Sequence, residues 1–584
     1  MDAHESESGA AGRKESTHQG KPHVIVIMAD QLRYDVLGMR YTPNLNSLAA
    51  DSAVFDRAYC ASPLCVPARG AFFTGTYPNA NGCLINPWNE ADAQHGQVRS
   101  GLPNMISLME EEWDSWHVGK QHLLTGERMH QSQTGRTRWV AGMREYKQHL
   151  REHGVRAPGG PAYKSLVPEM TGGRTTRAKS YSIPTTGVYE PGFDHFFDGF
   201  FANEAVAAIR GRDVSKPMLL NAMFLAPHPP FDVPEPWHSL WADGELELPD
   251  NVGFWDSGQS PLQLYNLTGF VGTRYSRAEW EATWRVYLGL VSLLDHCVGT
   301  IVNELKAQGM YEDALIVFTS DHGEMLGSHR LWQKMCMYEE SVRVPLYVKL
   351  PGRKHGDETG RGGGSECMPT AHAVADRGDP SDSKGSSAIA VVKDPVGTRI
   401  GTPVSAIDVL PTLCDLLGLD VPPSMQGVSL APLLAGDAGR PDSEADGTTQ
   451  LVQQVDEFSG VISGNPNPAV PPRNGSNRFM SPGSRTLFIQ YDGNGARGNF
   501  QRCIIKGQHK LIVDLFKDEH YLELYDVEAD RMERCNLAFA EENAELVLDL
   551  LAHLRRHMAE TEDLLTLPEP APLLRQFLQE RGRG

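Results

Sequence analysis

The sequence predicts an α/β protein, with a large sheet between helices and a small C-terminal unit of antiparallel strands and a helix. Three observations predict it. Residues 23–28 (HVIVIM), 218–225 (MLLNAMFL) and 314–319 (ALIVFT) are short continuous apolar runs, the pattern of strands buried on both faces. Apolar residues at helical spacing lie between them, most clearly over 284–308, where Gly309 ends the pattern. Over 486–536 the pattern becomes alternation (TLFIQY, QRCIIKGQHKLIVDL, HYLELYDVE), which reads as hairpin strands, and a helix follows at 542–559.

Taken in order, residues 1–20 are polar and charged, lack the apolar core of a signal peptide, and read as a disordered tail. The unit that would carry the chemistry runs from 21 to 440. Its first strand ends in Ala29-Asp30-Gln31, the second in Ala226-Pro227-His228, and the third in Ser320-Asp321-His322-Gly323. Sites in open α/β sheets form at the carboxyl ends of strands, so these segments are expected to converge. Further helices are predicted at 102–112 and 402–417. Residues 352–391, rich in Gly, Ser, Asp and charge, read as a flexible insertion. Residues 441–485 read as a linker, and 486–584 as the C-terminal subdomain.

The chain has 584 residues, 40% of them hydrophobic and 22% charged, which is ordinary for a globular protein. Its formal net charge of −20 argues against nucleic acid as a partner, because phosphate backbones need a basic face. A basic pocket on an acidic body can still take an anionic substrate. No run is read as long and apolar enough to span a membrane. The nine cysteines are scattered, with neither a disulfide framework nor a C-x-x-C pair, and a cytoplasmic setting is the simplest.

Residues 62–82, SPLCVPARGAFFTGTYPNANG, place Cys65, Pro67 and Arg69 in a C-x-P-x-R pattern ahead of Thr74-Gly75. A disulfide, a metal ligand, a nucleophilic thiol and a cysteine destined for modification all fit that pattern alone. Asp30, Gln31, Asp321 and His322 form two adjacent ligand pairs at strand ends. Carboxylate, amide and imidazole donors suit Ca²⁺, Mg²⁺ or Mn²⁺. Arg69, Lys120 in GKQH and Lys334 in HRLWQKMCMYEE would together neutralise a tetrahedral ester anion. His122 in the same GKQH and His228 in APHPPF add imidazoles.

These residues carry a resemblance. The blocks IVIMADQLRYD, CVPARGAFFTG, GKQHL, LAPHPPF, FTSDHGEMLGSH with WQKMCMYEESVRVPLYVKLPG, and LIVDLFKDEHYLELYDVEADRMERCNLA, in this order, resemble the sulfatases of the alkaline-phosphatase-like superfamily. The resemblance implies a large mixed β-sheet sandwiched by helices plus a small C-terminal α+β domain with an antiparallel sheet. It implies that a maturation enzyme, reading C-x-P-x-R before folding, converts Cys65 to formylglycine (3-oxoalanine). The hydrated aldehyde then offers one hydroxyl to attack sulfur and a second through which sulfate is expelled.

By the same resemblance, Asp30, Gln31, Cys65, Asp321 and His322 would hold one divalent metal, Ca²⁺ ahead of Mg²⁺ or Mn²⁺. Arg69 would hold the hydrated aldehyde, and Lys120 would bridge it to the sulfate. His122 would be the base, while His228 and Lys334 would bind sulfate and protonate the leaving alcohol.

Three positions depart from the common pattern. Gln31 stands where Asp is frequent, His322 where Asn is, and Ala68 where Ser is. Asp-Gln and Asp-His-Gly-Glu occur also in phosphonate monoester hydrolases and choline-sulfatase-like relatives. The expected activity is therefore hydrolysis of a small-molecule or carbohydrate sulfate ester. Phosphonate monoester or phosphodiester hydrolysis is the alternative, and a noncatalytic binding protein on this scaffold the remaining one. Substrate choice is expected in irregular polar segments at 87–99 and 128–180, and Trp88, Trp139 and Tyr181 offer rings for stacking.

Overall fold

The computed structural model describes residues 20–581 apart from 39, 88–93, 127, 161–162, 172–173, 353–396, 436–484 and 495–498. The tail at 1–20, the insertion at 352–391 and the linker at 441–485 thus lie outside the described residues, except for Gly20, Gly352 and Arg485. Trp88 lies outside them too.

Eight strands build the main sheet. They are β1 (His23–Asp30), β2 (Ala53–Phe55), β3 (Asp114–Gly119), β4 (Arg138–Val140), β5 (Met218–Pro227), β6 (Ala314–Ser320), β7 (Leu346–Lys349) and β8 (Thr398–Ile400). Their spatial order is β8-β2-β7-β6-β1-β5-β3-β4. β6, β1, β5, β3 and β4 run parallel, whereas β7 is antiparallel to both β6 and β2, so the sheet is mixed. Every residue of β1 is buried, because the sheet is covered on both faces. Ile25, Ile27 and Ala29 point into one core, and Val24, Val26 and Met28 into the other. That two-sided burial is why β1 reads as a continuous apolar run rather than an alternation.

The helices that cover the sheet are α1 (Pro43–Ala50), α2 (Cys65–Thr74), α3 (Met143–His153), α4 (Phe197–Arg210), α5 (Arg277–Ala307) and α6 (Val409–Leu417). Apolar residues of α1, α3, α4 and α5 enter the first core, and those of α2 and α6 enter the second. This is the α/β architecture that the sequence predicts.

The elements differ from expectation at several boundaries. α5 begins at Arg277 rather than 284, behind a capping box in which Ser276 Oγ accepts from Glu279 N and the Glu279 carboxylate accepts from Ser276 N. By length and composition α5 is apolar enough to cross a membrane, contrary to the sequence reading. However, 78% of its apolar window is buried inside the protein, as in a core helix. The helix expected at 102–112 is confined to Met105–Met109. That expected over 402–417 begins only at Val409, after the short strand Val404–Ser405 and a turn in which Asp408 accepts from Ser405 N at 2.7 Å. Residues 128–180 are not irregular, since they include β4, α3 and the hairpin Lys164–Thr171/Arg174–Ser182. That hairpin, KSLVPEMT and RTTRAKSYS, lacks an apolar alternation to betray it.

The C-terminal sheet runs β9 (Thr486–Tyr491), β10 (Phe500–Lys506), β11 (His509–Phe516) and β12 (Glu519–Asp526), all antiparallel neighbours. One face packs on α7 (Ala544–Glu560) through Leu511 and Val513 against Leu550 and Leu554. The other face gives Ile489, Cys503 and Ile512 to the second core of the main sheet. Buried Lys510 on β11 completes the junction, with its ammonium 3.0 Å from Glu339 and 2.6 Å from Glu533.

Candidate active site

Four neighbouring parallel strands end side by side. In register, Ala29 of β1 lies opposite Ser320 of β6, Asp30 opposite Pro227 of β5, and Gly119 of β3 opposite Met223 of β5. The next residues in each chain are therefore neighbours: Asp30 and Gln31, Asp321 and His322, His228, and Lys120. Gly119 makes the last of these placements feasible. Its φ is +90°, and a Cβ there would strike the Met223 carbonyl, which instead accepts from Lys120 N at 2.9 Å.

The C-x-P-x-R segment supplies the remaining wall. Cys65 is the first residue of α2, and all ten residues of this helix are buried. Asn86 Oδ1 accepts from Val66 N at 2.9 Å, in place of a side-chain cap from Leu64. The far end is closed by Thr74 and Gly75. Thr74 Oγ1 donates to Gly70 O at 2.7 Å, and Gly75 takes the left-handed conformation, φ +65°, against Met425 and Pro411. Thus the Thr-Gly pair fixes the helix that aims Cys65 and Arg69.

Donor atoms of Asp30, Cys65, Asp321 and His322 all lie within 4.8 Å of one another, and all four residues are buried. Cys65 Sγ is 3.8 Å from Asp30 Oδ1 and 3.0 Å from His322 Nε2. His322 Nδ1 faces the Gly323 carbonyl at 3.0 Å; a carbonyl only accepts, so Nδ1 carries the proton and Nε2 keeps its lone pair toward the cluster. Gln31 adopts φ +70°, a strained value for this residue. It is held there by Tyr287 OH on its carbonyl at 3.0 Å and by Asp321 Oδ1, which accepts from Gln31 N at 3.1 Å.

Cations frame the two carboxylates. Arg69 donates through Nε to Asp321 at 2.9 Å and through Nη2 to Asp30 at 3.0 Å, and Lys120 donates to the same Asp30 oxygen. Lys334 donates to Gln31 Oε1. It stands between Gln333 and Met335, both with left-handed backbone, φ +66° and +73°. Met335 N donates to Pro63 O at 3.2 Å, which ties this loop to the segment before Cys65.

Burial pushes the Asp30 carboxyl up, but the neighbouring cations, Lys120 and Arg69 among them, outweigh it and hold the group well below its ordinary range. Burial and Asp30 push the Cys65 thiol up, yet Lys120 and Lys334 foremost bring it below an ordinary thiol. Burial is the main cause that lowers His122, aided by Lys120 and Arg69, and it also lowers His228, aided by Lys334. Both rings are therefore neutral at neutral pH. His228 Nδ1 donates to Pro229 O, which leaves Nε2 free.

A family model described as Sulfatase matches residues 22–419. The chain belongs to the sulfatase family. A choline-sulfatase of Rhizobium meliloti (strain 1021) is 26% identical to it over 432 residues, 71% of this chain and 72% of that protein. The multifunctional alkaline phosphatase superfamily protein PehA of Trinickia caryophylli is 25% identical over 487 residues, 77% of this chain and 83% of that protein. Among solved structures, the phosphonate monoester hydrolase of Agrobacterium radiobacter has a TM-score of 0.62 at 20% identity, covering 93% of this chain and 96% of that one; this is a likeness of fold. This sulfatase is accordingly an enzyme of sulfate-ester hydrolysis with the alkaline-phosphatase-like fold.

All ten residues singled out in the sequence meet around the cluster in this sulfatase. Eight are joined by the contacts above. His122 and His228 approach closely enough to feel the charge of Lys120, Lys334 and Asp30. Sequence reasoning did not assign the support for Gln31. Gln31 Nε2 donates to buried Glu324, whose other oxygen accepts from Leu326 N at 2.9 Å. The Glu of D-H-G-E was the available signal. Nor did it find Asn86, a lone polar residue in a loop. Two of the expected stacking rings are otherwise engaged: Trp139 lies against His117 at 4.5 Å between centroids, and Tyr181 is buried in the first core.

Proposed function

We propose that this sulfatase hydrolyses a sulfate monoester of a small molecule or carbohydrate at the Cys65 cluster, after residue 65 has been converted to formylglycine by a maturation enzyme. The observation that carries the reading is the meeting of four buried donors, Asp30, Cys65, Asp321 and His322, within 4.8 Å at the amino end of a buried helix.

A divalent cation fits this donor set, because two carboxylates and an imidazole nitrogen converge there, with the Gln31 amide on the residue next to Asp30. Asp30, Gln31, Asp321 and His322 would hold it, and it would supply positive charge beside the attacking oxygen and the sulfate. The aldehyde form of residue 65 supplies, as its hydrate, the attacking oxygen and a second hydroxyl for expelling sulfate.

The chain's own residues do the rest. Arg69, fixed by both carboxylates, orients the oxygens on residue 65. Lys120 places its charge between residue 65 and the sulfate oxygens. His122, neutral because burial and Lys120 oppose its protonation, takes a proton from the second hydroxyl. His228 and Lys334 bind the sulfate from the other side and deliver a proton to the departing alcohol oxygen.

Hydrolysis of a phosphonate monoester or phosphodiester at the same cluster is the second reading, favoured by Gln31 and His322, which replace residues common in sulfatases. Such esters and sulfate monoesters are both tetrahedral monoanions, so the same cations serve either. Chain carrying the aldehyde, verified by mass spectrometry of the 62–69 peptide, should cleave 4-nitrophenyl sulfate ahead of phosphonate and phosphodiester analogues. Cleavage of the phosphorus esters alone would reverse the assignment, and an unmodified thiol after co-expression with the maturation enzyme would remove it.

A further inference from the structure

Three histidines that take no part in this chemistry meet elsewhere. His149 and His153 stand one turn apart at the carboxyl end of α3, and His195 ends the turn Phe193–His195 that leads into α4. One ring nitrogen from each lies within 4.8 Å of the others. His149 Nε2 faces His195 Nδ1 at 3.0 Å, close to the separation of two nitrogens on one tetrahedral ion. At that distance one nitrogen bears a proton and the other a lone pair directed into the cluster. His153 Nδ1 donates to the His149 carbonyl at 2.8 Å, which fixes its tautomer and leaves Nε2 unprotonated, as in imidazoles that bind metals. The His149 ring also packs on Phe200 at 4.6 Å between centroids. His149 and His195 are half-buried and His153 is exposed, so the cluster is open to solvent on one side.

We propose that His149, His153 and His195 form a second metal site that binds a zinc-class divalent cation through three imidazole nitrogens. The donor set distinguishes it from the Cys65 cluster. Three imidazoles without a carboxylate suit Zn²⁺, Co²⁺ or Ni²⁺, whereas Ca²⁺ and Mg²⁺ need a donor set dominated by oxygen, as the two carboxylates of the Cys65 cluster provide. An ion held here fastens α3 to the head of α4 and closes the segment between His153 and His195, which includes the hairpin. It thereby steadies α4, where the Asp198 carboxylate accepts from Leu225 N at 2.6 Å and from Ala226 N, just ahead of His228.

The test uses the full chain, stripped with chelator and then saturated with calcium so that the oxygen-rich cluster is filled. Titration with Zn²⁺ alone should show one equivalent more in the parent than in His153→Ala, a substitution at an exposed position that the fold tolerates. His149→Gln should lose the same equivalent. Co²⁺ should give the intense visible bands of a tetrahedral nitrogen site in the parent only. Zn²⁺ should raise the Tm of the parent and leave that of His153→Ala unmoved. Equal Zn²⁺ stoichiometry and affinity in parent and His153→Ala, or a Co²⁺ spectrum indifferent to that substitution, would overturn the proposal.

Discussion

Replacement of Lys120 by methionine probes the charge arrangement most directly. The ammonium touches Asp30 Oδ2, and Asp30 Oδ1 lies 3.8 Å from Cys65 Sγ. If a sulfate bonded through an oxygen at position 65 sits about 4 Å from that ammonium, one unit charge pair there is worth about 4 kcal/mol at an effective dielectric of about 20. Asp30 already draws on the same ammonium, which lowers the differential effect to about 2–4 kcal/mol. Through the barrier this becomes a loss of about 30- to 1,000-fold in kcat/KM. Methionine fills most of the lysine's volume, and Asp30 retains Arg69 at 3.0 Å, so the fold should survive. The assay is kcat/KM on an aryl sulfate, normalised to the aldehyde content of the 62–69 peptide, with Tm as the control for folding. A folded, fully converted Lys120→Met variant within tenfold of the parent would refute the placement of sulfate beside this ammonium.

Other outcomes follow from the same geometry. Cys65→Ala should abolish turnover while the circular dichroism stays that of the parent; near-normal rates in that variant would contradict the role of residue 65. Asp321→Asn should move the metal-activation curve to higher concentration by at least about tenfold, because even outer partners of a metal site are worth about 10- to 100-fold in affinity. Added metal should rescue it in part, and failure at every concentration would count against Asp321 as a ligand. Glu523 accepts from Tyr338 OH and Tyr525 OH at 2.6 Å each, and burial pushes its carboxyl up from 4.5 to about 7. The folded state thus holds the proton more tightly than the unfolded state. The stabilisation is complete below pH 4.5, fades as pH rises, and is gone above about 7, a change of about 3 kcal/mol. Urea unfolding at pH 5 and pH 8 should show that difference in the parent and a flatter response in Glu523→Gln; identical responses would mean that Glu523 does not hold the proton.

The strands that carry the cluster were readable because burial on both faces leaves them unbroken apolar runs, as in β1, β5 and β6. Their polar last residues then stand out against apolar surroundings. C-x-P-x-R and Thr-Gly were readable as a pattern, but only the structure gives the reason: one end of α2 aims Cys65 and the other is locked by Gly75. The first two turns of α5 escape the apolar pattern because they are polar (RAEWEAT), and only the S-x-x-E cap of Ser276 and Glu279 marks the start. The 164–182 hairpin was missed for a physical reason, since its strands are paired by backbone hydrogen bonds and carry no apolar period. The triad of His149, His153 and His195 left half a signal, an i, i+4 pair on one helix. Its third member comes from a turn that the chain reaches only after the hairpin.

Lys510 makes the last sheet more than an appendage. Its ammonium crosses to Glu339, five residues beyond Lys334 in the chain, so the tail and the loop that presents Lys334 share one buried charge balance. Cutting the chain before β9 would leave Glu339 with Arg343, 3.4 Å away, in place of the closer ammonium. Truncation would therefore unbalance the charges beneath that loop, and a chimaera that borrows this tail must borrow Glu339 along with it.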